Sequence, residues 1–244
     1  MHSLADKNEW DRLYRDKKPY GVSGKDQIAR WIVEQTPATE TGKALEIGCF
    51  PGRYLPTIGI LGYELNGLDM QDGVRDMPAW LLDQGFGVGK FAQADFFKWN
   101  SDEQFDLVLS LGFVEHFENW QEVIEGHLKF VVPGGHLLLE APNFLGGFQN
   151  WFHRTFDATN LAMHHVPAMD PFKWADVVRE HGFDIEFVGF FGRFHLWADQ
   201  QDLSAGKKCA LKWLLRSRNW FKHLLPSNSR TFSPYAGLVA RKKK

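Results

Sequence analysis

The sequence predicts an α/β fold with a mostly parallel sheet, on three observations. Short apolar segments alternate with amphipathic ones from Lys43 to Asn143. The strand-like segments carry little polarity on either face, the pattern of strands covered by helices on both sides. A glycine-bearing turn, "GCFPG", directly follows the first of them, as in strand-to-helix connections.

The elements follow in chain order. Leu4 to Arg15 reads as a helix. "KPYGVSG", Lys18 to Gly24, is a turn-rich loop. "GKDQIARWIVEQT" reads as a second helix with Ile28, Trp31, Ile32 and Val33 near one face, so residues 1–36 form an N-terminal helical cap. Strand "KALEI" leads to a helix after Pro51, and "ELNGLD" to one around Pro78–Gln84. "GKFAQAD" leads to a short connection, "FDLVLS" to a helix around Trp120–Phe130, and "GHLLLEA" follows a Pro-Gly-Gly turn. "PFKWADVVREHGF" is a helix stopped at Gly182, and "FDIEFVGFFGRF" a strand. The core therefore runs over residues 43–200. A basic amphipathic helix is inserted at 206–226, and a final strand at 232–241 pairs antiparallel at the sheet edge.

At 244 residues the chain builds one substantial core. Its 44% hydrophobic and 24% charged residues are those of a soluble globular protein. The 10 Trp and 21 Phe suit a ring-lined cavity and a thick core equally. No apolar run reaches the roughly 18 residues of a membrane span. The first residues are too charged for a secretory signal, and Cys49 and Cys209 form no metal-type pair, so a reduced, cytoplasmic setting is expected. From Lys207 to Lys244 there are 11 basic residues and no acidic ones. The body keeps 17 basic residues against all 30 acidic ones, a net of −13.

Ligands of open parallel sheets bind beyond the carboxyl ends of the strands. The first strand ends in Glu46, the second in Asp69 and the third in Asp95. Three carboxylates on successive strand ends face one crevice. Gly48 and Gly52 let the backbone approach a ligand closely, and the helix N-terminus after Pro51 suits that ligand's carboxylate. Asp69, 23 positions after Glu46, suits a ribose diol. Asp95 suits an adenine amine, with Phe96 packing on the base. A nicotinamide dehydrogenase competes as a reading, but its G-x-G-x-x-G is missing.

"LEIGCFPGRYL", "LDM", "ADFF", "FDLVLSLGFVEHF" and "VVPGGHLLLEAPN" resemble the ordered motifs of Rossmann-type S-adenosylmethionine-dependent methyltransferases. "SPYAGLVARK" is similar to that family's terminal antiparallel strand. The resemblance implies a Rossmann-like seven-stranded sheet in the order 3-2-1-4-5-7-6 and S-adenosylmethionine as cofactor. It implies Glu46 near the donor's ammonium and Gly48 and Gly52 under its methionine moiety. Asp69 and Met70 would lie at the ribose, Asp95 and Phe96 at the adenine, and Leu111 on the floor near the sulfonium. Phe50 departs from the family pattern, which has glycine there.

An alcohol acceptor needs a base; an amine needs only to be neutral and held. "VEHF" resembles the segment in ubiquinone-type and small-molecule methyltransferases where an acid and an imidazole open a helix. His116 is the expected general base, with Glu115 beside it. Asn143, Arg154, His164 and His165 are the expected acceptor contacts. The adjacent His164 and His165 do not both face one point, so one of the two is expected to be structural. Small-RNA ribose methyltransferases resemble this chain in a Glu-His pair with a later His. They use a further acid where this chain has Gly112, so no metal is expected, nor a nucleic-acid acceptor. A looser resemblance of "GFVEHFENW", "RTFDATNLAMHH" and "GFFGRFHLW" to surface-polysaccharide methyltransferases favours O-methylation of a small molecule or sugar. The alternatives are N-methylation and a binding protein without catalysis. On a helical wheel of 206–225, Trp213, Leu214, Trp220, Phe221, Leu224 and Leu225 fall on one face. Lys208, Lys212, Arg216, Arg218 and Lys222 fall opposite. Such a helix packs on the protein or lies on a membrane.

Overall fold

The computed structural model describes residues 3–4, 7–198, 203–221 and 224–244, of which 7, 8, 218, 219 and 221 are described by backbone only. Two helices lead in, α1 (Lys7–Tyr14) and α2 (Gln27–Gln35). α2 starts where the Asp26 carboxylate accepts from the Ile28 and Ala29 amides, a side-chain N-cap. Then come β1 (Lys43–Ile47), α3 (Leu55–Ile60), β2 (Glu64–Asp69), α4 (Met77–Leu82), β3 (Val88–Gln93) and β4 (Phe105–Leu111). α5 (Trp120–Leu128), β5 (Val131–Pro142), α6 (Gly147–Phe156), α7 (Ala158–Ala162) and α8 (Pro171–Glu180) follow. The chain closes with β6 (Phe183–Phe191), α9 (Ala205–Phe221) and β7 (Tyr235–Lys242).

The sheet has seven strands in the order β3-β2-β1-β4-β5-β7-β6. The first five are parallel, and β7 inserts antiparallel between β5 and β6, with Leu138 opposite Val239 and Val188 opposite Leu238. The expected Rossmann-like architecture and strand order are thus both present. Alternation across the sheet explains why the strands are apolar throughout. Leu137 and Leu139 enter one core with Val123 and Ile124 of α5 and Trp174 and Val178 of α8. Leu138, Leu107 and Leu109 enter the other with Ile28 and Ile32 of α2, Ile58 of α3 and Leu81 of α4. The strand order reverses between β1 and β4, and the carboxyl ends there open into the site.

A third cluster joins Phe152 and Phe156 of α6 to Phe194 and Leu211. Leu211, Leu214 and Leu215 are the stripe of α9 that packs inward. Trp213 and Trp220, expected beside Leu214 on the apolar face, are 68% and 82% exposed instead. They stand out with the exposed Lys212 and Arg216. One helical step separates Trp213 from Leu214 by about 100°, enough to divide the broad apolar face into a packed half and an exposed half. The side chains of Arg218 and Phe221, and Lys222 altogether, lie outside the described residues.

Asn143, expected at the acceptor, is a structural residue. It is fully buried. Its Nδ2 donates to the Arg230 and Ser233 carbonyls at 2.8 Å each, and its Oδ1 accepts from the Gly146 amide at 3.2 Å. It ties the loop before β7 to the end of β5. Asn143→Ala leaves those carbonyls without their donor and is expected to cost ~1–3 kcal/mol, read by urea unfolding, with affinity for S-adenosylhomocysteine unchanged.

Candidate active site

A cleft of about 1440 Å³ lies over the carboxyl ends of β1, β2 and β4. It exceeds the roughly 300–1,000 Å³ that encloses one drug-sized ligand, so it has room for two. Glu46, Gly48, Gly52, Asp69, Met70, Asp95, Phe96 and Leu111 all line it, bringing together every residue expected at the cofactor.

The loop after β1 is fixed by β2. The Gly48 and Cys49 amides donate to Leu68 O at 2.8 and 3.3 Å. The Phe50 amide donates to Asp69 Oδ2 at 2.9 Å and the Gln71 amide to Asp69 Oδ1 at 2.8 Å. Two of the carboxylate's four lone-pair sites are thus used by backbone, and two remain for a ligand diol. Gly48 and Gly52 have φ of +73° and +85°, the left-handed region that disfavours side chains. A Cβ at Gly48 would lie 2.7 Å from the Phe113 ring, and one at Gly52 would strike Met77. Phe50 keeps its ring off this cradle: it packs 5.7 Å from Tyr14 and against Gly73. The helix after Pro51 differs from expectation. α3 begins only at Leu55 and has six residues. The Gly48, Cys49, Phe50 and Gly52 amides are already bonded, Gly52 N to Cys49 O. Arg53 also lines the cleft, its guanidinium 5.4 Å from the centre of the Tyr54 ring.

Burial sets the electrostatics. Glu46 is 4% exposed, and its Oε2 has no hydrogen-bond partner. Desolvation, then the charge of Asp69, pushes its pKa well above the carboxylate range. Asp69 rises to about 6 by desolvation, held back by the amides it accepts from. Asp95 accepts from the Phe97 amide at 3.0 Å and pairs with Lys98 at 3.3 Å.

On the other side of the cleft, Glu115 and His116 lie in a short 3-10 turn at 114–116, ahead of α5 rather than opening it. Both are buried. Desolvation raises Glu115 to about 8. Desolvation and the neighbouring His164 lower His116 to about 3, which leaves its imidazole neutral and a weak proton acceptor. His164 joins them across the cleft wall, its ring centroid 4.6 Å from that of His116. The other expected acceptor contacts are elsewhere. Arg154 is on the exposed side of α6 and His165 does not line the cleft. The His165 backbone amide instead donates to Glu115 O at 2.7 Å; His165 is thus the structural member of its pair.

Sequence reading missed the roof. α1 crosses the cleft with Trp10 4.7 Å from the His116 ring and Tyr14 against Phe50. The Leu4 amide donates to His116 O at 2.9 Å. Glu140, Trp197 and Tyr235 also line the cleft. The i, i+4 spacing of Trp10 and Tyr14 was the available signal.

The sequence profile of the methyltransferase-domain family matches residues 23–187. The chain belongs to that family. This methyltransferase is 25% identical over 100 residues to the ubiquinone biosynthesis O-methyltransferase of Rickettsia conorii, across 41% of this chain and 34% of that protein. It is 27% identical over 121 residues to the trans-aconitate 2-methyltransferase of Rhizobium rhizogenes, across 48% of this chain and 45% of that one. The chain therefore spans less than half the length of the curated relatives it matches. Its fold is similar to that of an N-methyltransferase of Bradyrhizobium japonicum in complex with S-adenosyl-L-homocysteine, with TM-score 0.55, 16% identity, and 99% and 95% of the two chains covered. The cofactor of the methyltransferase is S-adenosylmethionine. The residues fit it: an orphaned buried carboxylate oxygen at Glu46 suits an ammonium, and the left-handed glycines at 48 and 52 turn the loop along the cleft that they line.

A carboxylate such as Asp69 accepts hydroxyls at both oxygens only when ionised. A contribution of Asp69 to donor affinity is therefore expected to rise through about pH 5–7 and level off above about pH 7. Calorimetry with S-adenosylhomocysteine checks this: Asp69→Asn binds more weakly and loses that part of the pH dependence.

Proposed function

We propose that this methyltransferase O-methylates a small hydroxyl compound, a sugar or glycan precursor by preference. The observation that carries the reading is the buried cluster of Glu115, His116 and His164 across from the donor residues. A hydroxyl must lose its proton as it becomes a nucleophile, whereas a neutral amine is already one. Such a cluster serves the first case and is superfluous in the second. The similarity to a ubiquinone biosynthesis O-methyltransferase supports the same reading.

Bound S-adenosylmethionine supplies a methyl group carried on a positively charged sulfur. The chain's own residues do the rest. Glu46, Asp69 and Asp95 hold the donor's polar ends. Leu111 and Phe113 give the cleft between them an apolar floor. His116, with Nδ1 bound to the Met163 carbonyl at 2.9 Å, turns Nε2 toward the cluster of Glu115 and His164, beside which the acceptor's hydroxyl yields its proton. Trp10, Trp197 and Tyr235 offer ring faces for a sugar. Alignment of two partners in one cleft is itself a large part of the rate.

Glu115→Gln and His116→Ala are each expected to lower kcat by roughly 10²–10⁴-fold, with S-adenosylhomocysteine affinity retained, in a mass-spectrometric assay of candidate acceptors. Unchanged turnover in both would overturn O-methylation in favour of an amine acceptor. Donor binding with no methylated product from any acceptor would point to a binding protein.

The outward half of α9 extends this proposal. Trp213 and Trp220 stand exposed among Lys212 and Arg216, on a segment without acidic residues. An anionic membrane surface matches both the rings and the charge, and an acceptor carried on a lipid would lie there. Among the described residues no helix is long and apolar enough to cross a membrane. In flotation with phosphatidylserine vesicles the protein is expected to rise with the lipid and the Trp213→Ala/Trp220→Ala variant to stay behind. A wild type that does not float ends the idea.

A further inference from the structure

Glu115, His116 and His164 direct one ligand atom each toward one spot, and these atoms lie within 4.8 Å of one another. Both imidazoles are fixed from behind by carbonyl oxygens. His116 Nδ1 meets Met163 O at 2.9 Å, and His164 Nδ1 meets Asn160 O at 2.7 Å. A carbonyl only accepts, so each Nδ1 carries the proton and each Nε2 is the ring nitrogen that keeps a lone pair; the Gly112 backbone also stands beside the His116 ring. This backing of a ring by a carbonyl is how metal-binding histidines are held. Aromatic neighbours confine both rings: Trp10 stands edge-on to His116 at 4.7 Å and Phe144 edge-on to His164 at 5.2 Å.

The carboxylate completes the set. Glu115 is 1% exposed, and neither of its side-chain oxygens has a hydrogen-bond partner. A buried carboxyl group left without partners is costly. At 4.0 Å from His116 Nε2 it is beyond hydrogen-bond reach, so a proton on the carboxyl does not satisfy the cluster. A cation between the three groups does.

We propose that Glu115, His116 and His164 bind a divalent transition-metal ion of the zinc, cobalt or manganese kind. Two imidazole nitrogens with one carboxylate suit such ions, whereas magnesium and calcium take oxygen ligands. Bonds of about 2.0–2.2 Å to one ion require the three atoms to draw together from the 4.8 Å within which they lie. Three protein ligands leave positions open on the ion. Gly112 keeps one side clear, since even a Cβ there would stand 3.6 Å from Glu115 Oε1. The proposal departs from the expectation of no metal drawn from Gly112: with no acid there, a position is left for an outside oxygen.

The site stands on its own geometry; its use rests on the O-methylation reading. An acceptor hydroxyl in the open position has its O–H bond weakened by the ion. The proton passes to cleft water and the oxygen stays bound as the anion.

The test is titration of the metal-stripped full-length chain with Co²⁺, followed by its visible d–d absorption, and with Zn²⁺ by calorimetry. One ion per chain is expected. Glu115→Gln, a near-isosteric change, and His164→Ala are each expected to weaken binding at least about tenfold, while His181→Ala on the surface leaves it as in wild type. S-Adenosylhomocysteine affinity is expected to be retained in all three, reporting an intact fold. No saturable ion binding by wild type overturns the site, as does unchanged binding in Glu115→Gln and His164→Ala. A protein that binds the ion at this cluster yet methylates no hydroxyl would retain the site and refute the O-methylation reading alone.

Discussion

Burial of carboxylates at the carboxyl ends of parallel strands is the constraint on which the rest of this site depends. Glu46 and Asp69 are both pushed upward in pKa by loss of water, so the protein holds acids where acids are uncomfortable. Asp69 is kept in place by two amides, one from each strand-end loop. Those bonds also shape the donor loop, because Phe50 and Gln71 are positioned by the group they stabilise. A bound ligand bearing an ammonium and a diol relieves the discomfort, and the cleft is shaped to receive one.

The same logic recurs across the cleft. Glu115 is buried and unpartnered, and the neighbouring imidazoles are held neutral by desolvation. On the donor side the positive charge comes with the ligand. On the acceptor side the proposed ion would bring it. One floor, formed by the ends of β1 and β4, thus serves two compartments short of cations, and both are supplied by what binds.

The sheet was legible because each strand is short, apolar on both faces and followed by its own helix. Backbone hydrogen bonding then leaves few arrangements for such a pattern. The donor residues were legible for the same reason: a residue at the last turn of a parallel strand has nowhere to point but the crevice. Beyond the strand ends this logic stops. Asn143 is one residue past β5 and looked like a ligand contact, but the loop before β7 needed its amide. Arg154 and the neighbouring α6 residues alternate between core and solvent with the helical turn, and sequence alone did not say which side faced the cleft. Trp213 and Leu214 belong to one apolar arc on a wheel, yet the width of the contact with Phe152, Phe156 and Phe194 admits only the leucines. His164 was separable from His165 only through the carbonyl that backs its ring.

α1 spans both sides of the cleft. It touches the donor loop through Tyr14 on Phe50 and the acceptor cluster through Trp10 on His116, so two rooms share one ceiling beam. A change of shape in that beam is a change to both rooms. Substitutions at either aromatic therefore alter two binding surfaces together, and selection on one substrate is felt by the other.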